Sequence, residues 1–319
     1  MKLTQGTIEQ ARKVVYASMR PTPQIAWPLL AERAGCEVWV KHENHTPIGA
    51  FKIRGGLVYM DWLKRNHPEV TRVITATRGN HGQSIARAAT ALGLASTIYV
   101  PRGNSVEKNA AMRAFGCDLV EFGSDFDEAR EESARRGEEL GAWPLPSFDE
   151  RLVEGVSTYA LELFEAVSDL HTVYVPIGMG SGMSGLIAAR DFLGLSTRIV
   201  GVVMEQLPAY ALSFEAGEVV TTPAASTIAD GMATRVPHPD ALAIIRAGGE
   251  RVVKVSEEQV RTAMRHYLTD THNLAEGAGA APLAALLCER EAMQGRKVGV
   301  ILSGGNVDME WLRPVIAGE

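Results

Sequence analysis

The chain of 319 residues is long enough to bury a large core, as one big domain or two smaller ones. Its 46% hydrophobic and 22% charged residues exclude disordered, collagenous and coiled-coil classes. A net charge of −6 offers no general basic face of the kind that nucleic-acid binding needs.

Residues 1–13 are polar and charged, without the apolar core of a secretion signal, so a cytoplasmic location is expected. Strand-like, β-branched runs recur at 37–41, 72–76, 96–100, 118–122, 172–176, 198–204, 251–255 and 297–302. Helix-period segments lie between them, at 83–92, 106–115, 126–139, 151–167, 257–269 and 280–291. This alternation predicts α/β architecture with parallel sheets covered on both faces. The uncharged stretch 170–189 has the length of a membrane span, but its four glycines and one proline make it a strand, a loop and a helix start. No membrane association is expected. Cys36, Cys117 and Cys288 are widely spaced and odd in number, so they read as core thiols in a reducing compartment. With no Cys-x-x-Cys pair and no zinc-spaced histidines, no structural zinc is expected.

Glycine-bearing loops follow four of these strands, at 47–56, 77–83, 178–185 and 303–306. Ligands of open α/β sheets bind at the carboxyl ends of strands, so these loops are where chemistry is expected. In the third, Gly178-Met179-Gly180-Ser181-Gly182 precedes a helix, whose free N–H groups and positive dipole end suit a phosphate. The same segment spells Gly-x-Gly-x-x-Gly (Gly180, Gly182, Gly185), with Glu205 ending the next strand. That is also the pattern of a dinucleotide fingerprint, and a purely structural glycine turn stands beside both readings. In the first loop, Lys52 sits between Phe51 and Ile53 and precedes Arg54. A free lysine titrates near pH ~10.4, and burial beside a cation moves it toward the neutral amine that condenses with aldehydes. A lysine snorkelling from a helix start is the plainer alternative.

The run Ala-Phe-Lys-Ile-Arg-Gly-Gly (residues 50–56) resembles the Ser-Phe-Lys-x-Arg-Gly-Ala signature of fold-type II pyridoxal-phosphate (PLP) enzymes, the family of serine/threonine dehydratases and serine racemase. Arg-Gly-Asn-His-Gly-Gln (78–83) resembles that family's asparagine loop, 178–182 its phosphate loop and Ser-Gly-Gly-Asn (303–306) its last cofactor motif. Ala-Asp-Gly (229–231), Ala-Glu-Gly-Ala-Gly-Ala (275–280) and the segment 107–117 also match, in family order. The resemblance implies a tryptophan synthase β-like fold: two doubly wound domains with mostly parallel sheets and the cofactor between them. It places residues 1–66 and 150–319 in a large domain and 67–149 in a small mobile one.

By the same resemblance Lys52 carries the cofactor, Phe51 lies against its ring and Asn80 donates to its 3′-oxygen. Gly178, Met179, Gly180, Ser181 and Gly182 hold the phosphate, Gly231 and Glu276 line the cofactor, and Ser303 bonds the pyridine nitrogen. Arg78, Gly79, His81 and Gly82 seat the substrate carboxylate, although for His81 a turn-capping role is an equal alternative. A neutral serine at the ring nitrogen, where other PLP enzymes use a carboxylate, favours prompt loss of a β-leaving group over transamination. The implied reaction is dehydration and deamination of a β-hydroxy amino acid to a 2-oxo acid and ammonia. Relatives with a divalent-cation site use a Glu, a carbonyl and an Asp, where this chain offers Glu205, Ala209 and Ala211, so no metal is expected. Because the chain ends soon after Ser303, no C-terminal regulatory domain is expected. Ala50 together with Arg78 looks like the phenylserine dehydratase branch, with threonine, serine and threo-3-hydroxyaspartate as other substrates. Serine racemase, β-replacement and dinucleotide-dependent oxidoreductase activities are the alternatives, and a homodimer is the expected assembly.

Overall fold

The computed structural model describes residues 2–124 and 126–318. Its strands are β1 (Gln24–Ala26), β2 (Glu37–His42), β3 (Arg72–Ala76), β4 (Ala95–Val100), β5 (Asp118–Glu121), β6 (Trp143–Pro144), β7 (Thr172–Pro176), β8 (Arg198–Met204), β9 (Arg251–Val255) and β10 (Lys297–Leu302). They form a six-stranded sheet, ordered β1-β2-β10-β7-β8-β9, and a four-stranded sheet, ordered β5-β4-β3-β6. All pairings are parallel except β1 with β2. The smaller sheet is an excursion of the chain between two segments that build the larger one.

The apolar composition of the central strands follows from their position, because a parallel sheet is covered on both faces. On β8, Val200, Val202 and Met204 join one core cluster while Ile199 and Val203 join the other. On β10, Val298, Val300 and Leu302 face the first cluster and Ile301 the second. Successive side chains of a strand point to opposite faces, so both layers of helices meet a hydrophobic surface. The stretch 170–189 is β7, a glycine loop and the start of the helix Ser181–Phe192, and no helix among the described residues is long and apolar enough to cross a membrane.

Three expectations need correction. The helix Asn80–Ala91 begins before the apolar period at residue 83, and Gly277–Cys288 begins before residue 280, because each first turn is polar or glycine-rich and carries no hydrophobic signal. Cys36 and Cys117 are buried, but Cys288 ends its helix at the surface and is exposed. The short strands β1 and β6 fall outside the eight predicted runs.

Parallel strands end at one edge, and this brings the loops after β2, β7 and β10 together. Leu302 pairs with His42 at the last register position of β10 and β2. Beyond it, Ala50 bridges to Gly304, and the Phe51 N–H donates to the Ser303 carbonyl oxygen at 2.9 Å.

Candidate active site

Lys52 is the first residue of the helix Lys52–Asn66, so its side chain leaves the chain where the loop from β2 turns into a helix. Its Nζ donates to Ser181 Oγ at 3.2 Å and lies 4.9 Å from the centroid of the Phe51 ring. Burial lowers the Lys52 ammonium from its ordinary value to about 8, so a substantial neutral fraction exists near physiological pH. Ser181 opens the helix Ser181–Phe192, preceded by Gly180 in the left-handed region at φ 98°. The first N–H groups of that helix have no partner within it, and its dipole favours an anion at this end.

No Cβ fits at Gly178 or Gly180 on the approach to that helix. A Cβ on Gly178 would stand 2.4 Å from the Gly231 carbonyl oxygen, and one on Gly180 would stand 2.7 Å from Ala241 Cβ. Gly178 and Gly231, far apart in sequence, therefore share one wall. Met179 and Ser181 occupy the positions between these glycines, with Ser181 buried.

Asn80 opens the helix Asn80–Ala91 after β3. Its Nδ2 donates to Glu276 Oε1 at 2.8 Å, and its Oδ1 accepts from Asn306 Nδ2 at 2.8 Å. This double contact fixes which way the amide faces and ties the smaller sheet to the loop after β10. Burial pushes the Glu276 carboxyl up to about 7, and Lys108 acts against that rise. Glu276 Oε2 and His81 Nε2 are both buried without a hydrogen-bond partner. Such atoms are costly unless a bound polar group satisfies them. Burial, reinforced by the nearby Lys52 charge, lowers His81 to about 3, so its imidazole is neutral.

Arg78 is exposed, and Gly79 and Gly82 are buried. A Cβ on Gly79 would lie 2.6 Å from Lys108 Cδ, so the lysine stem covers this loop. A Cβ on Gly82 would meet Met112 Sδ at 2.4 Å. Ser303 is 3% exposed and directly follows β10. The structure thus gathers Lys52, Phe51, Asn80, the 178–182 loop, Gly231, Glu276 and Ser303 around one locus. Glu276 reaches it through Asn80.

Sequence reasoning gave no role to Lys108, although it lies inside the matched segment 107–117. It is buried, and its Nζ pairs with Asp230 at 2.5 Å across the two sheets. Ser105 Oγ donates to Asp308 Oδ1 at 2.6 Å beside it, and Glu107 accepts from the Met309 N–H at 3.0 Å. Only the polar character of the helix Val106–Ala114 hinted at these ties. At the doubtful cation position Glu205 is exposed while Ala209 and Ala211 are buried, and no cluster of three acidic, His or Cys groups among the described residues is placed to hold a metal.

The locus fits pyridoxal phosphate: an amine of lowered pKa, a glycine-walled helix N-terminus for a phosphate, unsatisfied polar atoms and a buried hydroxyl. A family model described as pyridoxal-phosphate dependent enzyme matches residues 15–304. An L-threonine ammonia-lyase of Geobacter sulfurreducens is 36% identical over 310 residues, covering 97% of this chain and 77% of that one. An L-threo-3-hydroxyaspartate ammonia-lyase of Saccharomyces cerevisiae is 32% identical over 319 residues, covering 99% of this chain and 97% of that one. The processed form of threonine deaminase isoform 2 from Solanum lycopersicum superposes with a TM-score of 0.89 at 27% identity, covering 99% of this chain and 94% of that one. The glycine loop after β7 is therefore not a dinucleotide fingerprint, and the chain belongs to the pyridoxal-phosphate dependent enzymes, with the fold-type II architecture of the serine/threonine dehydratases.

Proposed function

We propose that this protein converts a β-hydroxy-L-amino acid into a 2-oxo acid and ammonia, by loss of water followed by hydrolysis. The carrying observation is the buried Lys52 amine, poised on Ser181 Oγ where the loops after β2, β7 and β10 meet. Bound pyridoxal phosphate supplies an aldehyde for the substrate amine and a conjugated ring that stabilises negative charge at Cα. Lys52 would hold the cofactor until the substrate amine replaces it; its freed neutral amine would then take the Cα proton, and the β-hydroxyl would leave as water on receiving that proton from the Lys52 ammonium or one from solvent. Residues 178–182 hold the phosphate and Ser303 presents a neutral hydroxyl to the ring nitrogen. Gly231 walls the phosphate loop, while Glu276 orients Asn80 toward the cofactor. The backbone from Gly79 to Gly82, with Arg78 and His81, seats the substrate carboxylate.

Residues 67–149 act as a small domain that closes over the site, and 1–66 with 150–319 as the large one. The Lys108–Asp230 pair and the Asn80–Glu276 bond support this reading, since both link the smaller sheet's segment to the larger. Unpaired buried Cys36 and Cys117 suit the cytoplasm. Exposed Leu29, Trp311 and Ile316, on two helices packed against Glu257–Thr271, suit a homodimer.

Ala50 and Arg78 favour phenylserine, and the named activities of the relatives favour threonine or threo-3-hydroxyaspartate. Incubation of the enzyme with these three and L-serine is expected to release ammonia and 2-oxo acid in equal amounts from at least one. With none, the proposal fails. Consumption of an added thiol in place of 2-oxo acid formation would make the protein a β-replacement enzyme instead.

Elimination is expected to outrun racemisation. In serine racemases a serine stands two residues before the cofactor-binding asparagine and reprotonates Cα from the face opposite the lysine; here that residue is Arg78. A guanidinium keeps its proton at any working pH and is a poor proton donor. With L-serine in deuterated water, pyruvate is expected to form far faster than D-serine, and comparable rates would contradict the assignment. Arg78→Ser is expected to raise the ratio of racemisation to elimination.

A further inference from the structure

Two buried phenols grip the loop after β7 from behind. Tyr210, on the helix Ala209–Ala216, donates its hydroxyl to the Met179 carbonyl oxygen at 2.9 Å, and its own Oη accepts the His238 N–H at 3.2 Å. Tyr159, on the helix Glu150–Ala166, donates to the Gly182 carbonyl oxygen at 3.2 Å. Both residues are 1% exposed. The Tyr159 ring also meets Phe51, the neighbour of Lys52, edge-on at 6.1 Å between centroids. Behind Gly180 the space is closed, since a Cβ there would lie 3.1 Å from Tyr210 Oη. Burial raises both phenols above their ordinary value, so each stays protonated and remains a donor.

A trans peptide unit is planar and points its C=O and the following N–H in opposite directions. A carbonyl pinned from behind therefore turns the next N–H to the front. We propose that Tyr210 and Tyr159 are positioning residues: by holding the Met179 and Gly182 carbonyls away from the site, they aim the N–H groups of Gly180 and Met183 at the bound phosphate. Glycine-rich backbone has much freedom to lose, so a loop fixed in advance binds its anion more tightly than one ordered on binding. Neither tyrosine touches the reacting atoms. This inference rests on the reading of residues 178–182 as the phosphate loop.

The test compares apoprotein of the wild type with Tyr210→Phe, Tyr159→Phe and the double variant. Dissociation constants are measured for pyridoxal phosphate and for pyridoxal, which lacks the phosphate, together with apoprotein melting temperatures. Each single variant is expected to weaken pyridoxal phosphate binding about tenfold and the double variant about a hundredfold, since each removes one hydrogen bond to the loop. Binding of pyridoxal is expected to stay unchanged. Unaltered pyridoxal phosphate affinity, or equal losses for both ligands, would overturn the proposal. Wild-type protein that binds both ligands equally would instead overturn the phosphate-loop reading itself. Should one variant not fold, the other decides, because each phenol holds its own carbonyl.

Discussion

Replacing Lys52 with alanine is expected to lower kcat by about 10⁴-fold or more while leaving the fold intact. The change removes both the amine that holds the cofactor and the base that takes the Cα proton. No neighbouring amine can substitute, because Lys41 and Lys108 are already paired with Glu162 and Asp230. Lys52→Arg is expected to be as inactive, since a guanidinium keeps its proton at any working pH. The fold should survive because the Lys52 ammonium makes a single 3.2 Å bond, to Ser181 Oγ, and burying it charged is unfavourable in any case. Ammonia release and melting temperature, measured on the same preparation, check both halves. Activity within a hundredfold of wild type would remove Lys52 from the mechanism.

The largest loss of stability is expected from Glu162→Ala. The Glu162 carboxylate accepts from Arg54 Nη1 at 2.6 Å, Lys41 Nζ at 2.5 Å, Tyr16 Oη at 2.8 Å and the Thr22 N–H at 3.2 Å. Arg54 also forks onto Glu43, and both Arg54 and Lys41 are fully buried. Two cations thus face two carboxylates away from water. Deleting one partner of such a group leaves an uncompensated buried charge and costs about 3–5 kcal/mol. At this chain length that is a fall of roughly 5–15 °C in melting temperature. Burial works against ionisation of Glu162, but Arg54 and Lys41 outweigh it and hold the carboxyl below its ordinary value of 4.5. A depressed acid contributes stability above its unfolded pKa, so this contribution is complete above pH 4.5 and is lost as the pH falls through the lower folded value. Activity should fall along with stability, because Arg54 lies on the first turn of the helix that begins with Lys52. A melting temperature within 2 °C of wild type, as judged against the expected ~5–15 °C, would contradict this account of the cluster.

Buried parallel strands were legible almost residue for residue, because a strand covered on both faces is an unbroken apolar run. Arg198–Met204 and Lys297–Leu302 are examples, with bounds that match the sequence signal. The edge strand β6 carried none: it is two residues long and ends in Pro144, which has no N–H to give a neighbour. The helix Gly277–Cys288 lost its first turn in the sequence because it is buried all round and opens on glycines, leaving no amphipathic period to mark its start. Each cofactor motif could be seen alone, but its partners could not. Lys52 and Ser181 stand 129 residues apart and Asn80 and Glu276 stand 196 apart, and the crossovers of the two sheets bring them together. Lys108, Tyr159 and Tyr210 had no motif of their own, since a side chain that acts through packing or a carbonyl contact leaves no pattern in a single sequence.

The central claim, that Lys52 is the residue that takes the cofactor aldehyde, is tested most directly by adding pyridoxal phosphate to apoprotein, reducing with borohydride and mapping the labelled peptide. The label is expected on the peptide that contains Lys52, at a capture rate that rises with pH through about 8 as the buried ammonium gives up its proton. Label on Lys41 or Lys108, the two lysines with buried side chains among the described residues, or no label at any pH, would contradict it.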